Sequence, residues 1–143
     1  MADCAGDITT LLPTYGPTDR NQKLLLFAIR RLAACGLNDA HASHAFIGAF
    51  GLGFRRPLIL LRALMAEMSR VSQRKVVVAH CCCPRMTESE AVMIGAVTFA
   101  VMDPHQAHRA LTRVLGVENC LGALSSAQAL SQAFEDLGRP LNA

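Results

Sequence analysis

Three adjacent thiols and an imidazole stand together in His80-Cys81-Cys82-Cys83-Pro84-Arg85-Met86-Thr87, and no other run of the chain is so suited to chemistry. Two roles fit them, a reactive thiolate and a soft metal ligand. Thr87-Glu88-Ser89-Glu90 reads as a capping box, which predicts a helix starting just after the thiols. Its unpaired first-turn amides and positive dipole end, with Arg85 beside them, would favour an anionic sulfur at Cys81, Cys82 or Cys83. If the run continues the extended Val76 to Ala79 segment, Cys81 and Cys83 share one face and His80 and Cys82 the other. A disulfide between neighbours is disfavoured, because adjacent Cα atoms lie about 3.8 Å apart, below the ~4.4 Å edge of ordinary disulfide geometry. The bland alternative is that these thiols pack as small buried hydrophobes.

Two other stretches carry metal-ligand spacing. In Asp39-Ala40-His41-Ala42-Ser43-His44 and in Asp103-Pro104-His105-Gln106-Ala107-His108, a capping Asp is followed by histidines three apart on one helical face. The strongest metal set joins Cys81 and Cys83 to His105 and His108, or to His41 and His44, as a tetrahedral Cys2His2 site for a zinc-like divalent ion. Solvated histidines on surface helices are the alternative. No other cofactor is implied.

The elements that must position these residues are helical. A chain of 143 residues rich in Ala and Leu predicts one all-α domain, a bundle of five or six helices over residues 18–143 behind an N-terminal arm at 1–17. Helices are expected from Asp19 to Cys35, 39–50, 57–72, 88–102, from Asp103 to Gly116, and 119–137, with a short extended segment at 76–79 before the cysteines. In the first, Leu24, Leu25, Phe27, Ala28, Leu32 and Cys35 form the apolar stripe, while Arg30 and Arg31 belong to the polar face. The 57–72 helix is apolar nearly all round and, with the 88–102 helix, is expected to be central. Ala91, Gly95, Ala96 and Ala100 allow another backbone to come close, either the 57–72 helix or a second copy of the chain.

Net charge is +3 and unevenly spread. Residues 41–86 hold seven basic side chains against Glu67, and residues 87–143 hold three against six acidic ones. That pattern fits intramolecular or head-to-head subunit complementarity; a homodimer burying part of the 88–102 helix or of the 76–83 crossing is expected, and Arg55, Arg56, Arg70, Arg74 and Lys75 form the candidate surface for nucleic acid or another anion. The absence of Trp, a single Tyr, and a last helix without Lys or Arg count against base stacking or a recognition helix. The first residues show no basic n-region or apolar h-region, and no uncharged window reaches membrane-span length, so reduced thiols in a cytoplasmic, non-membrane protein are expected. No glycine-rich phosphate loop or paired-carboxylate motif points to an enzyme.

Leu37-Asn38-Asp39-Ala40-His41, the segment from Arg55-Arg56-Pro57 to Glu67, and Cys81-Cys82-Cys83-Pro84-Arg85-Met86-Thr87 resemble the corresponding runs of a family of small uncharacterised bacterial proteins. The resemblance covers most of the chain and implies a bacterial cytoplasmic protein, with no activity to carry over. The expectation is a non-enzymatic protein with a thiol- or metal-responsive loop governing partner binding. The competing readings are a nucleic-acid-binding adaptor and a purely structural dimeric subunit.

Overall fold

A computed structural model describes residues 14–142, so residues 1–13 of the expected arm, Cys4 among them, and Ala143 lie outside the described residues. Among the described residues there are six α-helices: α1 Arg20–Cys35, α2 Ala40–Phe50, α3 Arg55–Val71, α4 Glu88–Phe99, α5 Pro104–Leu115 and α6 Leu121–Asp136. A 3-10 turn, Gly51–Gly53, joins α2 to α3. Two short antiparallel strands complete the fold, β1 Thr14–Tyr15 and β2 Arg85–Met86, with Thr14 opposite Met86 and Tyr15 opposite Arg85. The architecture is the expected all-α bundle.

The helix boundaries follow local chemistry. Asp19, Asp39 and Asp103 each accept a hydrogen bond from the amide three residues on, supplying the partner that a first turn lacks. Thr87 and Glu90 form the capping box in full at the start of α4. Gly116 ends α5 in the left-handed region at φ 71°, and the Arg74 stem packs where a Cβ would stand.

The helices pack chiefly in pairs, α3 on α6, α4 on α5 and α1 on α2, with α4 and α5 also meeting α6. Leu25, Ile29, Leu61, Leu64, Met93, Leu111 and Leu130 are sealed between them. Each such side chain contributes roughly 1.5–3 kcal/mol of burial. Phe46, Phe50 and Phe134 meet edge to face at one corner, with ring centroids 5.0 to 6.0 Å apart.

Three expectations need correction. The α3 helix buries one face, Leu58, Leu61, Leu64 and Met68, and exposes Ile59, so it is an ordinary amphipathic helix. The helix packed along α4 is α5 rather than α3, and a Cβ on Gly95 would touch nothing within 4 Å. On α1, Arg30 is buried and Cys35 exposed, the reverse of the predicted stripe. Residues 76–79 pair with no strand, as expected of a crossing, and their polar groups find side-chain partners: Thr87 Oγ1 donates to the Val77 carbonyl at 2.6 Å and Ala79 N to Glu90 at 3.0 Å. The two strands flank this segment, at Thr14–Tyr15 and beyond the cysteines at Arg85–Met86, and pair with each other.

Candidate functional site

The cysteine run turns rather than extends. Cys83 N donates to the His80 carbonyl at 3.1 Å, closing a turn over Cys81 and Cys82. The expected alternation of faces therefore fails, and the thiols are graded: Cys82 exposed, Cys81 half-buried, Cys83 buried. None of the five described cysteines is in a disulfide.

Beneath this turn is a buried ion pair. Arg30 of α1 meets Glu90 of α4 with Nε at 2.8 Å and Nη2 at 3.1 Å, their side chains 3% and 0% exposed. The same guanidinium donates to the Cys83 carbonyl from Nη1 and to the Arg85 carbonyl from Nη2, both at 2.8 Å. Glu90 in turn accepts the amides of Thr87 at 2.9 Å and Ala79 at 3.0 Å. Two side chains thus gather four backbone groups on both sides of the thiols, a charge-assisted network with nearly all its capacity used. The amides of Thr87 and Glu90, at the end expected to attract a thiolate, are already taken by the capping box.

Arg85 has its guanidinium 4.0 Å from the centre of the Tyr15 ring, a cation–π contact that ties β1 to the loop through side chains as well as backbone. Arg31, which the sequence left on the polar face, forks onto Asp39 at 3.0 and 2.9 Å, meets His41 Nδ1 at 3.0 Å, and lies near the Cys81 and Cys35 side chains.

That fork holds the Asp39 carboxyl down at about 2, helped by the Ala42 amide, and raises Arg31 further above its ordinary range. A carboxyl lowered in the folded state contributes stability that is complete above its ordinary pKa, about 3.9, and lost as pH falls toward the folded value. Between about pH 4 and pH 2, then, the α2 cap should loosen, read as an NMR titration of the Ala42 amide. Asp39→Asn should erase that inflection; an unchanged inflection in this variant would assign it elsewhere.

One histidine of each pair has a local partner, His41 in Arg31 and His108 in the Cys120 amide. His108 Nε2 accepts the Cys120 amide at 3.2 Å across the α5–α6 junction, and burial pushes the Cys120 thiol up. His44 and His105 are exposed. Among the described residues no group of three or more His, Cys, Asp or Glu side chains is placed to hold a metal, so neither Cys81, Cys83, His105 and His108 nor Cys81, Cys83, His41 and His44 are assembled as a set of four. The basic surface is largely engaged: Arg56 with Asp136 at 2.9 Å, Arg70 with Glu67 at 2.8 Å, and Arg74 with the Arg113 carbonyl at 3.0 Å. Arg55 stands 5.9 Å from the Phe54 ring centre and Lys75 is exposed.

Arg30 is the residue that reading the chain missed. A signal was present, since Arg30 falls one turn after Leu26 and next to Ile29, on the stripe that the fold buries. Among the described residues no helix is long and apolar enough to cross a membrane. No curated protein and no solved structure matches the chain. The model of DUF6628, a family of unknown function, matches residues 1–139, and the chain belongs to that family.

Proposed function

We propose that this is a small non-enzymatic cytoplasmic protein in which the turn from His80 to Arg85 is a thiol-responsive element governing partner binding. One observation carries the reading. Cys82 and Cys81 are presented to solvent on a backbone that Arg30 and Glu90 hold from below. Chemistry at either sulfur therefore acts on an ordered surface rather than on a loose loop. Disulfide exchange is the matching reaction: a cysteine thiolate attacks one sulfur of an incoming disulfide, a mixed S–S bond forms, and the other sulfur leaves as thiolate. Such an adduct adds bulk where a partner would dock, beside Arg31 and Arg85.

An aromatic disulfide reagent, with mass-spectrometric mapping of native protein, tests this. Cys81 and Cys82 should label within the first phase, together with exposed Cys35, while Cys83 and Cys120 label only on unfolding. Native protein in which Cys81 and Cys82 stay unlabelled would end the proposal. The metal-responsive form of the same loop is separated by elemental analysis of protein purified without chelator. A genuine site should approach about one ion per chain, whereas a content below about 0.2 equivalents removes that form.

A further inference from the structure

Between the C-terminal halves of α1 and α3 and the 72–78 segment lies a groove of about 800 Å3, within the range of roughly 300–1,000 Å3 typical of small-molecule sites. Leu32, Met65, Met68, Val76, Val78 and Met93 give it an aliphatic and thioether lining with no aromatic ring. Leu32, Met68 and Met93 are buried, while Ala33, Ala66 and Ser69 along the walls are exposed, so the groove opens to solvent. Methionines adapt to the shape of a flexible chain, and a lining without rings offers a planar ligand nothing to stack on.

The charge in the groove has one sign. No carboxylate lines it; its charged residues are Arg70 and Arg74. Arg70 is forked onto Glu67. Arg74 is held differently: its stem packs on Gly116, and Nη1 donates to the Arg113 carbonyl at 3.0 Å. A guanidinium carries five N–H donors, so Arg74, which lines both this groove and the adjoining cleft beside Glu88 and Arg113, is a tethered cation at the groove's edge with further donors to offer.

We infer that the groove binds an amphipathic anion, an unbranched acyl chain lying along the half-buried Met65, Val76 and Val78 with its carboxylate on Arg74. This is independent of the thiol reading, because no cysteine lines the groove. Charge complementarity selects the carboxylate, and the lining selects the chain.

Calorimetric titration of the full chain with laurate below its micellar concentration, and with dodecanol as the uncharged match, tests the inference. Laurate should bind at about one per chain and dodecanol about tenfold or more weaker, the scale of a hydrogen bond to a charged group. Arg74→Gln should bring laurate down to the dodecanol affinity. Ala66→Trp, which fills the groove from an exposed wall, should abolish both, with circular dichroism reporting the fold; Ser69→Trp replaces it if Ala66→Trp does not fold. The inference is overturned if laurate fails to saturate, if both ligands bind equally, or if the filled variant binds unchanged. A dimer in sedimentation velocity that the same tryptophan dissociates would assign the groove to a second copy, and would overturn it too.

Discussion

Glu90→Gln should cost about 3–5 kcal/mol, because removing one partner of a buried pair strands the other charge away from water. Against a total stability of roughly 5–15 kcal/mol, the urea midpoint should fall far, with the slope unchanged. The amide is nearly isosteric, so packing is not the cause. Its NH2 group would face Arg30 or a backbone N–H where the carboxylate had accepted four bonds. The sharper test is the apolar double variant Arg30→Met/Glu90→Leu. A simple buried ion pair is often replaced by hydrophobic residues at no loss. Here the pair also serves the Cys83 and Arg85 carbonyls and the Ala79 and Thr87 amides, each costing about 1–3 kcal/mol if left buried without a partner. The double variant should therefore stay destabilised, and Cys83 should become labelled under native conditions. A double variant as stable as the parent, with Cys83 protected, would reduce the pair to ordinary core packing.

The helices were legible because their signals are local. Capping aspartates, the Thr87 and Glu90 box, and terminal glycines act within one turn of themselves, and the structure puts helix ends within a few residues of those marks. The site was legible only in part. Glu90 could be read as a capping residue from its distance to Thr87, but its second role depends on Arg30, 60 residues earlier. Periodicity sorts residues by polarity, so a buried arginine on the apolar stripe reads as surface until its partner is known. The strand pair was not legible for a related reason. Val76, Val77 and Val78 have strand-forming side chains, yet β pairing needs a second strand, and β1 meets Arg85 and Met86 instead. The turn at Cys81 and Cys82 carried no turn residue before Pro84, and its shape is set by the carbonyls Arg30 holds.

Phe134→Ala should be as costly as the loss of Glu90, about 3–5 kcal/mol for a fully buried ring, and should differ from it in where the damage appears. Phe134 packs edge to face on Phe46 and Phe50, centroids 6.0 and 5.0 Å away, so truncation opens the corner between α2 and α6. The thiol turn is bonded to α1 and α4 through Arg30 and Glu90, helices other than the two that form that corner. Proteins open in cooperative units, and labelling of a buried thiol reports whichever opening exposes it at least cost. In Phe134→Ala, Cys83 labelling should rise only in step with the fall in global stability. In Glu90→Gln it should rise further than global stability accounts for, since the turn can then open with the bundle still folded. Equal labelling in the two variants, at equal loss of stability, would mean that the turn has no opening of its own. An opening of its own would let an adduct form at buried Cys83 with the bundle still folded, whereas Cys81 and Cys82 react at the surface as it stands.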